Sequence, residues 1–215
     1  MIKIAHISDI HIRGRSRLDE YQEILSKFNS DVERLNVDHI FIGGDIFHTK
    51  TQGITPEYID FLVWWLKSMS SIAPVHMILG NHDGNLVNLS RLDAITPIVE
   101  AIGDENIHLY KNSGVYEFHP GYTFCVFSIF DTENWHKVLP ISGKTNIACY
   151  HGPVHGSTTE VGWNIEGELN VDTFKEFDFC FLGDIHKKQF LGFRDVEIEI
   201  DENDLSKYPG AEVIE

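Results

Sequence analysis

Cysteine is scarce in this sequence, long apolar runs are missing, and positive charge is in short supply. The three cysteines, Cys125, Cys149 and Cys180, are an odd number, each inside a strand-like apolar run. That pattern excludes a disulfide framework or a thiolate zinc site and reads as reduced core cysteines of a cytoplasmic protein. The longest apolar run, "IDFLVWWL" at Ile59–Leu66, is broken by Asp60. It falls far short of the ~20 residues a membrane span needs, so no membrane partner is expected. The opening "MIKIAHISD" has no apolar core or cleavage site of a secretion signal. Seventeen basic residues face thirty-three acidic ones, a formal charge of −16. Such a balance argues against nonspecific affinity for nucleic acid, where basic patches supply most of the binding. It leaves metal-assisted phosphate chemistry open, because bound divalent ions dominate their local field.

What the sequence does contain is an ordered alternation. The 215 residues, 42% hydrophobic, suit one domain or a domain with a short appendage. "IKIAHIS" reads as a strand, "LDEYQEILSKFNSDVERL" from Leu18 as a helix, and "HIFIGG" from His39 as a buried strand. Pro56 opens a second helix, capped by Thr55 and running to Ser70. "VHMILG" from Val75 is a third strand, and "LSRLDAITPIVEAIG" a helical stretch interrupted by Pro97. After Ile107 come successive short strands, "IHLY", "GVYEF", "YTFCVFSIF", "TNIACY" and "FDFCFLG", whose punctuation suits hairpins and a second sheet. The fold class is therefore α/β, a sandwich of two sheets flanked by helices.

Five of these strands end in the same chemistry. The blocks are "SDIH" (Asp9, His11), "GGDIFH" (Asp45, His48), "GNHD" (Asn81, His82, Asp83), "ACYHG" (His151) and "FLGDIH" (Asp184, His186). A lone Asp after a strand is usually a turn former or helix cap. Five such blocks at strand ends, where ligands of α/β sheets gather, point instead to one site. Glycines just before the acids permit close backbone approach. Asp, His and Asn make a mixed oxygen–nitrogen donor set that suits Mn²⁺, with Mg²⁺ or Fe²⁺ as alternatives. Two such ions roughly 3.5–4 Å apart, bridged by a carboxylate such as Asp45, are a common device for cleaving phosphate esters.

In this order and spacing the five blocks resemble those of the calcineurin-like metallophosphoesterases, whose fold is a four-layer αββα sandwich. His48, three residues after Asp45, makes the chain look most like SbcD-type DNA repair and recombination nucleases, including their phage relatives. The resemblance implies a first metal held by Asp9, His11, Asp45 and His186, and a second held by Asp45, Asn81, His151 and Asp184. It implies that His82 assists at the scissile phosphate with Asp83 orienting its ring, and that His48 contacts the phosphodiester. The expected function is divalent-metal-dependent exo- or endonucleolytic hydrolysis of DNA beside an SbcC-type ATPase. A phosphatase or phosphodiesterase for a small molecule or phosphoprotein is the alternative.

Two departures stand out. The last block of the family usually reads Gly-His-x-His, and here Asp184 takes the first histidine's place. A third carboxylate should make the second site harder, favouring Mn²⁺ or Mg²⁺ over Zn²⁺. The nuclease domain is expected over residues 1–190, with only a short terminal strand and an acidic tail over 191–215 where SbcD-type proteins carry a capping region. DNA contacts are then expected from the core, from Arg13 and Arg15 in "HIRGRSR" and from His155 in the loop after His151. On the helix Pro56–Ser70, Tyr58, Phe61, Leu62, Trp65 and Met69 share one face, while Val63 and Trp64 lie outside it. The extra aromatic suggests a homodimer contact.

Overall fold

The structure is a computed structural model that describes residues 2–48, 53–159, 161–187, 189 and 191. Strands β1 (Ile4–Ile7), β2 (His39–Ile42), β3 (Val75–Ile78) and β4 (Ile107–Tyr110) form one parallel sheet in the order β1-β2-β3-β4. A second sheet has the order β10-β7-β6-β5, from β5 (Gly114–His119), β6 (Tyr122–Phe127), β7 (Thr145–His151) and β10 (Phe179–Gly183). Only β5 and β6 pair antiparallel; β6, β7 and β10 run parallel. Two expectations are corrected here. "IHLY" belongs to the first sheet, not the second, and hairpins are not the rule after Ile107. A short pair, β8 (Val154–His155) and β9 (Leu169–Asn170), stands apart.

Helix α1 (Leu18–Leu35) follows from Tyr21, Leu25, Phe28 and Val32, which recur at helical spacing and turn toward the core. Asp19 and Glu20 favour its positive end, and Asn36 closes it in the left-handed conformation with φ 49°. Helix α2 (Pro56–Ser70) starts as expected after Thr55 and buries Tyr58, Phe61, Leu62, Trp65, Leu66 and Met69. Val63 and Trp64 are half-buried against the same core, with Trp64 packed on Phe61 at 5.4 Å between ring centroids. Trp64 is thus partly covered by its own chain. Helix α3 is only Thr96–Ile102. Pro97 sits in its first turn, so it begins the helix and does not interrupt one. Asp93 Oδ1 accepts from the Ile95 and Thr96 amides at 3.0 and 2.6 Å and fixes that start. The preceding residues stay non-helical because the Asn85 and Asn88 side chains accept hydrogen bonds from amides two or three residues ahead.

Three apolar layers result. One lies between the first sheet and the three helices, around Ile40, Ile42, Leu62, Trp65 and Met77. A second lies between the sheets, with Phe41, Ile78, Phe124, Val126, Ile147 and Cys149. The third covers the outer face of the second sheet, where Tyr150, Phe127 and Phe174 pack beneath short 3₁₀ turns at Thr132–Lys137 and Val171–Phe174. Cys125 and Cys149 are buried as expected, but Cys180 is exposed, because β10 is an edge strand in the described sheet. No described helix is long and apolar enough to cross a membrane. The expected terminal strand and acidic tail lie outside the described residues, apart from Leu191.

Candidate active site

Parallel strands deliver their carboxyl ends to one edge of the sandwich. Asp9 follows β1, Asp45 follows β2, Asn81–Asp83 follow β3, His151 closes β7 and Asp184 follows β10. The backbone bends sharply at these ends. Among the described residues, the non-glycine positions with positive φ are Asp9 (57°), His11 (50°), Asp45 (53°), Asp184 (72°) and the helix-capping Asn36. Left-handed backbone costs such residues about 1–3 kcal/mol each and persists where the surroundings impose it, commonly at functional sites. Four of the five are candidate ligands.

A cleft of about 540 Å³ opens there, lined by Asp9, Ile10, His11, Arg13, Tyr21, Asp45, His48, His82, Asp184 and His186. Three sets of ligand atoms crowd together: Asp9, His11 and His186; Asp9, Asp45 and His151; and His11, His48 and His82. Within them His151 Nε2 lies 3.3 Å from Asp45 Oδ1 and His11 Nε2 3.6 Å from Asp45 Oδ2. His186 Nε2 is 3.6 Å and His151 Nε2 3.9 Å from Asp9 Oδ1. Apart from the closest pair, these separations are too long for hydrogen bonds and suit groups converging on a shared cation. Both His11 ring nitrogens, Asp45 Oδ2, Asn81 Oδ1 and His151 Nε2 are buried without a hydrogen-bond partner. Buried polar atoms left unpaired cost stability unless a ligand satisfies them, so the donor set fits bound divalent ions.

The electrostatics agree with such a role. Burial opposes ionisation of Asp45, yet the hydrogen bond and charge of His151 bring its pKa below the usual carboxylate value. Burial likewise disfavours protonation of His151, but Asp45 and Asp9 hold its pKa up at about 9. For His11 burial wins over the nearby carboxylates, and its pKa falls. Burial, followed by Asp45 and Asp9, raises the pKa of Asp184, although His151 and His186 oppose the rise.

The second layer of the site is built from glycines and one carboxylate. A Cβ on Gly80 would collide with the Asp45 side chain, and one on Gly183 with the His151 ring. His151 Nδ1 lies 2.6 Å from the Gly43 carbonyl, which positions Nε2 toward the carboxylates. Asp83 is fully buried and accepts from the amides of Asp45 (2.8 Å), Gly80 (2.9 Å), Ile46 (3.0 Å) and Phe47 (3.3 Å). Its expected role is therefore corrected: Asp83 shapes the Asp45 loop and does not orient the His82 ring. That ring is held instead by the His48 main-chain carbonyl, which accepts from Nδ1. Its Nε2 then faces the site, 3.9 Å from Asp45 Oδ2.

The remaining expected residues divide. His48 lines the cleft with its ring stacked on that of His82, 5.6 Å apart, and Arg13 Nη1 lies 3.5 Å from His48 Nε2. Arg15 pairs with Glu57 at 2.7 Å and does not line the cleft. His155 is exposed on β8, away from the lining residues. Asp184 lines the cleft but joins none of the tight ligand-atom sets; its amide lies 3.1 Å from both Asp9 carboxylate oxygens. Asn81 stands beside the cleft with Oδ1 unpaired. Sequence reasoning missed Tyr21, whose hydroxyl donates to the His11 carbonyl at 2.9 Å across the cleft wall. Its spacing on α1 marks it only as a core residue.

Comparison with known proteins gives a consistent placement. A protein of Acanthamoeba polyphaga mimivirus described as "Uncharacterized protein R555" is 39% identical over 204 residues, covering 87% of this chain and 15% of its own length. The SbcD component of the Staphylococcus epidermidis nuclease SbcCD is 23% identical over 86% of this chain, which spans 57% of that protein. Its Bacillus subtilis counterpart is 32% identical over half of this chain and 27% of its own. The crystal structure of Pseudomonas putida nuclease MPE superposes with a TM-score of 0.39 at 16% identity, covering 75% of this chain and 66% of that one. The model of the calcineurin-like phosphoesterase family matches residues 2–188. With that match and this donor set, the chain belongs to the calcineurin-like phosphoesterases and is a metal-dependent phosphoester-cleaving enzyme.

Proposed function

We propose that this chain hydrolyses phosphodiester bonds of DNA at a two-ion centre, as a nuclease of the SbcD type. The observation that carries the reading is the wall formed by His82, His48 and Arg13 beside the ligand cluster. An imidazole backed by a second imidazole and a guanidinium suits an ester whose two sides are both large and whose neighbouring phosphates need a cationic contact. Resemblance to the SbcD components of two bacterial SbcCD nucleases supports the same substrate.

In this reading Asp9, His11, Asp45 and His186 hold one ion, and Asp45, Asn81, His151 and Asp184 the other, with Asp45 between them. Bound there, Mn²⁺ or a similar ion supplies charge neutralisation for the phosphoryl oxygens and a nucleophile at neutral pH. The residues do the rest. His82 donates its Nδ1–H to the His48 carbonyl, so Nε2 is the atom that exchanges a proton with the leaving oxygen. Arg13 and His48 hold the flanking strand, and Asp83 keeps the Asp45 loop in place through four amides.

The proposed partners are DNA and an SbcC-type ATPase, in the cytoplasm, and a second copy of the chain through the α2 face that carries half-buried Trp64. Strict monomers in light scattering at high concentration would remove the last of these. The charge of −16 favours the rival reading, a small-molecule or phosphoprotein substrate. The deciding experiment is Mn²⁺-dependent cleavage of labelled linear DNA beside bis-p-nitrophenyl phosphate, with His82→Ala as control. Cleavage of both by the wild type supports the nuclease; hydrolysis of the small ester alone supports the rival.

A further inference from the structure

The loop after His151 folds into a small hairpin over residues 157–165. Thr158 and Asn164 form an antiparallel bridge, the Ile165 amide donates to the Ser157 carbonyl at 2.8 Å, and the Thr159 amide to the Trp163 carbonyl at 2.8 Å. Gly162, with φ 87°, turns the tip, and its amide donates to the Thr159 carbonyl at 2.9 Å. The base of the hairpin is clamped. Gln189 Oε1 accepts from the Thr158 amide at 2.8 Å, and Gln189 Nε2 donates to the Thr158 carbonyl at 2.9 Å. Lys187 Nζ donates to Thr158 Oγ1 at 3.2 Å. Lys187 directly follows His186, a lining residue of the cleft. The hairpin therefore stands on the His186 side of the cleft, with Trp163 roughly 10–15 Å from it by chain and cross-strand spacings.

At the tip of this clamped element Trp163 is 75% exposed and Val161 77% exposed. The other three tryptophans are buried or half-buried. A large aromatic held in water by its own backbone bonds has a face to offer. The surrounding charge says what kind of ligand takes it. Glu166 and Glu168 follow on the same loop, and the whole chain carries a charge of −16. A nucleic acid strand reaching the cleft gains little here from phosphate contacts, so its grip must come from its bases. Bases stack on aromatic side chains for about 1–3 kcal/mol each, whatever their sequence.

We propose that Trp163 is a stacking platform for an unpaired base of single-stranded DNA whose neighbouring phosphate enters the cleft. This rests on the nuclease reading above. It makes the preferred substrate a single strand or a frayed end, since a base inside a duplex has no free face.

The test uses the full chain in Ca²⁺ with a labelled oligodeoxythymidylate and a blunt duplex of equal length. Trp163→Ala should weaken single-strand binding about 5- to 150-fold, the stacking energy converted to affinity, while Trp163→Phe loses much less. Tryptophan fluorescence of the wild type should quench on adding the single strand, and that quench should vanish in Trp163→Phe. In Mn²⁺ the ratio of oligonucleotide to bis-p-nitrophenyl phosphate turnover should fall in Trp163→Ala. Equal single-strand affinity of wild type and Trp163→Ala overturns the proposal while leaving the nuclease intact. So does a concentration-dependent self-association lost in Trp163→Ala without any change in oligonucleotide binding. Small-ester turnover without any oligonucleotide binding by the wild type overturns both readings.

Discussion

His82 is held by His48: its Nδ1 bonds the His48 main-chain carbonyl, and the two rings stack 5.6 Å apart at 22°. The backbone of one block thus aims the side chain of the next. The two histidines should then separate on mutation. His82→Ala is expected to lower kcat about 10²- to 10⁴-fold, the usual contribution of a positioned acid or base. Its Mn²⁺ affinity by calorimetry should stay within a few-fold. His48→Ala keeps the carbonyl and should lose less in kcat than His82→Ala. Equal losses in the two variants would contradict the assignment.

Asp83 is expected to matter for stability before chemistry. Its carboxylate accepts four amides, those of Asp45, Gly80, Ile46 and Phe47. Asp83→Ala leaves several buried N–H groups unpaired at about 1–3 kcal/mol each, so unfolding free energy in urea should drop by about 3 kcal/mol or more. A variant as stable as the wild type that lost only activity would restore Asp83 to a direct role at His82.

Between the sheets, His39 Nδ1 lies 3.1 Å from His76 Nε2, and His76 Nδ1 2.8 Å from the Tyr110 hydroxyl. Burial, then His108 and His39, lower the His76 pKa from 6.5 to about 3. Burial, then His119, lowers that of His39. Each group binds fewer protons in the folded state than in the unfolded one. Stability is therefore full above pH 6.5 and lost as pH falls toward 3, with a slope from His76 of about 1.4 kcal/mol per pH unit. In urea titrations across that window, His76→Gln should show a shallower acid limb. An unchanged slope would mean that His76 is not the group responsible.

Asp184 stands where the family resemblance leads one to expect histidine, and it lines the cleft beside Asp9. Asp184→His should shift the preference of the centre from Mn²⁺ toward Zn²⁺ and move the pH optimum, because a neutral nitrogen replaces a carboxylate. Competition between the two ions and a pH–rate profile check this. If neither changes, Asp184 does not reach the metals.

Much of this site was legible because its residues are polar punctuation at the ends of apolar strands. Asp9, Asp45, His151 and His186 needed only the pattern and a parallel sheet to bring them together. What escaped detection works through backbone or through tertiary neighbours. The work of Asp83 is done on amides, which leave no mark in the residue pattern, and the carbonyl that holds His82 has no residue signature either. "IHLY" reads the same in either sheet, and only its pairing with β3 assigns it. The segment before Thr96 has helical apolar spacing, yet local Asn turns outcompete the helix. Cys180 has a core residue's sequence context and an edge strand's exposure.

Asp45 is the carboxylate proposed to join two ions, and every other assigned role depends on it. Calorimetric titration of the metal-free chain with Mn²⁺ tests that most directly. Two equivalents are predicted for the wild type, with affinity at both sites falling in Asp45→Asn. A single equivalent, or binding indifferent to Asp45→Asn, would contradict it.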